Sequence, residues 1–274
     1  MAVPTTRRRR RDPEGRMALR EHLTELRRRV VRSAIAILLG AVVGWFLYDW
    51  VIEALIRPIK TIQAERGPQF ISINFGDVAS PFNLKIQLSI LTGLVLASPV
   101  WLYQLWAFVT PGLTRKERRY SFGFVAVSLP LFLGGAALAW WALPKAIQFF
   151  SDFVPSGGTI FISANTYFSF VTRIILAFGI AFVIPVLLVA LNMVGVLSGR
   201  ALVRQWRVTV FACFLFAAIA TPTPEATTMC ILAGAMCLLF GAAIAICLLI
   251  DRRRARRAGE DELANLADDE ASEL

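Results

Sequence analysis

This 274-residue sequence is short of charge where a soluble protein has most of it. Only 18% of the residues are Asp, Glu, Lys or Arg, and 57% are apolar. Soluble domains carry about 25% charged residues. The shortage is concentrated in residues 30–250, which hold 14 of the 29 basic and 7 of the 19 acidic residues. A stretch so poor in charge cannot cover a water-facing surface, which excludes an ordinary soluble globule. Histidine occurs once, at His22, which leaves no imidazole set for a metal centre or for Ser/His chemistry. Cys213, Cys230, Cys237 and Cys247 lie in apolar stretches with no C-x-x-C pair, so they read as small packing residues. No Gly-Lys dipeptide occurs, which excludes a nucleotide-binding phosphate loop. These absences point away from an enzyme, a metal site and a cofactor.

What remains is apolar sequence in long blocks. Six spans are expected, at residues 30–50, 84–109, 121–143, 166–194, 207–221 and 228–250. About 20 apolar residues cross the ~30 Å of bilayer hydrocarbon, so five suffice and 207–221 is short, at about 22 Å. Removing that crossing would put the Arg252–Arg257 run on the side opposite the N-terminal arginines. With six crossings, 23 of the 29 basic residues fall on one side. The positive-inside rule makes that side cytoplasmic, with both termini there. The expectation is an all-α membrane protein: six helices in one bundle, the last two short. Its transmembrane domain would cover 19–250. A basic arm (1–18) and a charged tail (251–274) are expected to be disordered. The basic face suits anionic lipid; the formal charge of +10 is therefore not a nucleic-acid footprint. The outer segments 51–82 and 144–165 read as caps packed on the bundle. Pro99, Pro130 and Pro185 lie inside spans, where each removes a helix hydrogen bond and permits a kink.

Two acids stand against the charge pattern. Residues 19–29 place Leu19, Leu23, Leu26 and Val30 at helical spacing, with Glu21, Glu25 and Arg28 on another face. Taken alone, the segment is an interfacial helix whose acids pair with its arginines, Glu25 having Arg28 and Arg29 three and four residues on. Glu117 is the one acid among four bases in the loop 110–119. Together, two carboxylates at one cytoplasmic surface can each accept a bidentate guanidinium, which lysine cannot copy. A small-solute or ion transporter is the alternative at this level. It should line a midplane cavity with polar groups, whereas the spans hold few ionisable residues, chiefly Arg173.

Six ordered motifs carry a family resemblance. They are His22-Leu-x-Glu25-Leu-Arg27-x-Arg29, Asp77-Val-Ala-Ser-Pro-Phe82, Ser98-Pro99-Val-x-Leu-Tyr-Gln-x-Trp-Ala-Phe108, Pro111-Gly-Leu-x-x-x-Glu117-Arg-Arg119, Phe178-Gly-Ile-Ala-Phe-x-x-Pro185-Val186 and Thr221-Pro-x-Pro-Glu225. Over about Leu19–Ile250 the sequence resembles the TatC family, the large subunit of the twin-arginine protein translocase. The resemblance implies a cup-shaped receptor for the paired arginines of signal peptides on folded cargo, powered by the proton-motive force. It implies a signal-peptide site at Glu25 and Glu117, with Phe108 beside it and Arg27 in the same motif. It also implies a bacterial cytoplasmic membrane, a homo-oligomer within the complex, and TatA-like and TatB-like single-span subunits docked on the fifth helix. Thr221 and Glu225 mark the adjoining turn. Val183 occupies a position where many members carry an acidic or amide residue, leaving Thr221 or Asn192 to supply that polar group.

Overall fold

Residues 19–109, 118–155, 157–220 and 226–264 are described by the structure, a computed structural model. Glu117, Thr221, Glu225 and the arm 1–18 lie outside them. Nine helices are described: α1 (Leu19–Phe46), α2 (Tyr48–Arg66), α3 (Ser80–Leu96), α4 (Ser98–Val109), α5 (Arg118–Asp152), α6 (Ala164–Val194), α7 (Gly199–Arg204), α8 (Trp206–Ala220) and α9 (Ala226–Ala264). Two short strands, β1 (Ile71–Asn74) and β2 (Ile160–Ser163), pair in parallel with Ile71 opposite Ile160. Helices dominate because hydrocarbon offers no hydrogen-bond partner, so each spanning segment must satisfy its own backbone.

Four stretches are long and apolar enough to cross a membrane: Leu23–Phe46, Phe122–Asp152, Ala164–Val194 and Thr228–Arg257. The expected span 84–109 is not one helix. It is α3 and α4, bent by 59° at Ala97. Proline causes the break. The residue before proline is disfavoured in the helical region, and Pro99 has no N–H to donate. The indole Nε1 of Trp101 donates to the Leu94 carbonyl at 3.0 Å, satisfying an acceptor at the bend. Pro185, by contrast, sits within a continuous α6, as Pro130 does within α5. Taken as one span the bent pair makes a fifth crossing, and α8 is a shorter apolar helix of 15 residues.

Three further boundaries differ from the sequence expectation. The first span ends at Phe46, not residue 50, because the chain turns at Leu47 into α2. The shortness expected of both final helices holds for α8 alone. α9 has 39 residues and runs helically through Arg252–Arg257 to Ala264, where disorder was expected from 251. Ala, Arg, Glu and Leu in that stretch are all good helix formers, so nothing stops the helix at the membrane surface. The outer segments include the parallel β1–β2 ladder as well as helix, which the sequence reading did not anticipate.

An apolar core joins the elements. α2 turns the stripe Leu55, Pro58, Ile59 and Ile62 inward, the i, i+3, i+4, i+7 pattern of a packed amphipathic helix. The outer cap is tied down by polar contacts to the bundle. The Tyr167 hydroxyl donates to the Leu55 carbonyl at 2.7 Å. Gln63 Nε2 donates to the Ile71 carbonyl at 2.7 Å. Arg66 donates to the Ser151 carbonyl at 3.1 Å and pairs with Asp152.

At the other end, α6 stops at Gly195, whose φ of 86° is the left-handed conformation of a helix C-cap. There Asn192 is fully buried and its Nδ2 donates to Asp251 at 2.9 Å. Asp251 also accepts the Gly199 backbone N–H at 2.6 Å. Arg254 donates to the Asn192 carbonyl at 3.0 Å. Asp251, immediately before the tail arginines, thus fastens α7 and the end of α6 to α9.

α1 crosses α3 with backbones nearly touching. A Cβ on Gly40 would lie 2.7 Å from the Gly93 carbonyl oxygen, and one on Gly44 would lie 2.6 Å from the Ser89 carbonyl oxygen. This small-x-x-x-small spacing, Gly40 to Gly44, lets membrane helices gain dispersion contact where no hydrophobic force drives association. Gly40→Val is expected to wedge the pair apart and destabilise by about 1–3 kcal/mol. A thermal unfolding scan of the purified protein checks it; an unchanged midpoint would refute the close crossing. Asp251→Ala is expected to speed amide hydrogen exchange across Gly199–Arg204 while leaving Leu55–Ile62 as protected as before. Equal protection of both segments in the variant would show that α7 does not depend on this carboxylate.

Candidate functional site

The N-terminal end of α1 meets α4, because the bend at Ala97 swings α4 across toward it. Glu25 and Arg29 lie one turn apart on the side of α1 that faces α4, with side chains only 22% and 18% exposed. Arg29 Nε donates to Glu25 Oε1 at 3.0 Å, and Nη2 of the same guanidinium reaches the same oxygen. Arg29 Nη1 also reaches Gln104 Oε1 of α4 at 3.4 Å. One arginine therefore spans both helices. The i,i+4 pairing read from the sequence is present, and it engages only one carboxylate oxygen. Glu25 Oε2 is buried with no hydrogen-bond partner among the described residues. A buried acceptor left unpaired costs about 1–3 kcal/mol, and more when charged.

Beneath this group opens a cleft of about 510 Å³. Its walls come from α1 (Arg29, Val30, Ile37), from Leu94 of α3, from α4 (Trp101, Gln104, Phe108) and from Ile180 of α6. The polar rim is Arg29 and Gln104; the depth is almost wholly apolar. Such a cleft suits an extended apolar segment whose polar end carries donors aimed at Glu25 Oε2.

The sequence-predicted residues divide as follows. Phe108 stands half-buried in the cleft wall, and Glu25 is tied to the cleft through Arg29, which lines it. Arg27 is not: two residues from Glu25 on α1, it projects from another side of the helix and is exposed. Arg29 takes its place beside the carboxylate. Gln104 was not singled out from the sequence. It lies between Pro99 and Phe108 in the same motif, but its partner is 75 residues away. Val183 is buried in an apolar cluster with Leu102, Trp106, Phe132 and Val186, so no polar side chain of α6 is presented there. The fully buried polar residue of α6 is Asn192. Pro99 opens α4, and Pro185 lines a second apolar cleft of about 570 Å³ against α5 and α9. Glu117, Thr221 and Glu225 fall outside the described residues.

Comparison with known proteins places this geometry. Residues 21–234 match the family model described as Sec-independent protein translocase protein (TatC). The chain is 48% identical over 242 residues to the Sec-independent protein translocase protein TatC of Xylanimonas cellulosilytica, covering 88% of this chain and 87% of that one. It is 39% identical to the TatC protein of Rothia mucilaginosa, covering 99% and 92%. A crystal structure of the twin arginine translocase receptor TatC in DDM superposes with a TM-score of 0.68 at 31% identity, covering 82% of this chain and 99% of that one. The chain belongs to the TatC family: it is a multi-pass membrane subunit of the Sec-independent protein translocase, a transport protein and not an enzyme.

Proposed function

We propose that this subunit is the translocase's receptor for paired-arginine signal segments on folded cargo. The observation that carries the reading is the buried, unpaired Oε2 of Glu25, whose Oε1 is held by an arginine that lines an apolar cleft. One arginine of the pair donates to Oε2, where a planar guanidinium can place two N–H groups and an ammonium cannot. The apolar part of the signal lies down the cleft past Phe108 and Leu94. Glu117 supplies the second carboxylate, and Arg27 offers its exposed cation to the surrounding surface. The chain crosses a bacterial cytoplasmic membrane six times with both termini in the cytoplasm, and proton-motive force drives export.

Single-span TatA-like and TatB-like subunits dock on α8, near the turn carrying Thr221 and Glu225. Support comes from Val208, Phe211, Leu215 and Ile219, which are exposed along one side of that short helix. Their spacing of three and four residues makes a continuous apolar stripe. Val183, behind Trp106, shapes the receptor from within and presents no polar group to a partner. Several copies assemble in the complex, with anionic lipid against the basic cytoplasmic face.

A synthetic signal peptide bearing Arg-Arg is expected to bind the purified protein at least about tenfold more tightly than its Lys-Lys form, the scale of one charge-assisted hydrogen bond. Glu25→Gln should remove that preference, as read by fluorescence anisotropy. Equal affinities for both peptides on the unaltered protein would end the carboxylate reading. For topology, Glu225→Cys in a background without native cysteines should react with an impermeant maleimide from the outer face; reaction only after permeabilisation would overturn six crossings.

A further inference from the structure

Arg173 is an exposed cation inside the α6 span, and no described residue forms an ion pair with it. It lies 19 residues from Asn192, about 28 Å along the helix. Asn192 marks the charged rim where Arg254 and Asp251 bind. Since hydrocarbon is ~30 Å thick, Arg173 stands at the level of the opposite headgroups. Around α6 it lies about 20° from Ile180, seven residues on, and Ile180 lines the cleft below Glu25. Across from it, Gln87 of α3 donates to Ser169 Oγ and Thr172 Oγ1, each at 3.4 Å. Both hydroxyls accept there and keep their own protons for a further acceptor. Leu94, seven residues beyond Gln87, lines the same cleft. Arg173 and the two hydroxyls do not line the cleft itself; by helix rise and phase they stand about 10 Å past Leu94 and Ile180, at the far end of the α3–α6 face that those two residues open.

We propose that this far end is a binding site for one anionic phospholipid of the outer leaflet. The phosphodiester accepts from Arg173 and the Ser169 and Thr172 hydroxyls, and an acyl chain descends between Leu94 and Ile180. Charge complementarity selects this occupant, because Arg173 is a cation without a counter-ion and the wall below it is apolar. Arg173 to Ile180 spans about 10 Å, enough to seat much of an acyl chain. The acyl chain enters the cleft that, in the receptor reading above, receives the apolar part of the signal; this competition and the assignment to the outer leaflet rest on that reading.

Native mass spectrometry of the full chain in detergent, titrated with phosphatidylglycerol or phosphatidylcholine, tests it. One phosphatidylglycerol should be retained with about tenfold preference over phosphatidylcholine. Arg173→Gln should lose that preference, while Arg57→Gln, also exposed on the outer side, should keep it. Ile180→Trp, which fills the cleft and leaves the cation, should weaken retention too and guards against misfolding of the Arg173 variant. Inorganic phosphate at millimolar level should not displace the lipid. Unchanged retention in both the Arg173→Gln and Ile180→Trp proteins, equal retention of the two lipids, or displacement by inorganic phosphate would each overturn the proposal. Arg-Arg peptide binding is measured separately at Glu25, so failure of the lipid site and failure of the receptor reading give different results.

Discussion

The 59° turn at Ala97 sets where α4 meets the N-terminal end of α1. Without it, α3 would continue as one straight span, and Gln104 and Phe108 would follow the α3 axis instead of meeting α1. The turn follows from one missing N–H, that of Pro99, and from an indole that satisfies the Leu94 carbonyl at the bend. It holds its direction because α1 and α3 are locked above it. Gly40, Gly44 and Gly93 bring the two backbones so close that neither helix can slide or rotate without collision. Phe132 supports the other side: it is fully buried, packs edge-on against Trp101 and lies over Gly179 of α6. A backbone defect, a glycine crossing and one aromatic ring together define the cleft.

Polar groups in this bundle follow the cost of burying them in hydrocarbon. At the outer cap, Arg66 is held by Asp152 and the Ser151 carbonyl. At the opposite end, Asp251 collects the Gly199 N–H and the Asn192 amide. Against this background an unsatisfied atom is informative. Among the described residues only two buried side-chain oxygens lack a partner, Glu25 Oε2 and Asn192 Oδ1. The second belongs to an amide whose nitrogen is already bound within a structural clamp. The first belongs to an acid whose partner, Arg29, lines an open cleft.

Membership of a translocase explains why the molecule has this economy. A transport subunit needs no nucleophile, base or metal. It needs surfaces that recognise a segment and faces that accept neighbours. In the proposed function, the rim at Glu25 and Arg29 serves the former and the exposed stripe of α8 the latter. In the proposed receptor, Arg29 also has a steric part. By occupying Oε1 and reaching Gln104 it fixes the carboxylate, so that the unpaired oxygen has one orientation.

Class and motif order were legible in the sequence because they depend on local composition. Charge depletion over 30–250 dictates lipid exposure whatever the packing, and the six motifs from His22 to Glu225 are read directly along the chain. Glu25 stood out because it opposes the local charge. Its choice of Arg29 over Arg27 depends on helix phase, which i,i+4 spacing allowed but did not select among several arginines. Pro99 marked a kink in the second span, but Gln104 and the end of α1 at Phe46 were not legible, nor was it legible that Pro185 would leave its helix continuous. Each results from a balance between a weak local signal and distant contacts, such as Arg29 with Gln104. The extension of α9 past the membrane was misjudged because charge density was taken as disorder, although its residues favour helix. The sequence by itself determined that this is a membrane bundle with its charges at the rims. Only the tertiary structure decided which carboxylate oxygen is left without a partner, since that depends on how two helices distant in sequence share one guanidinium.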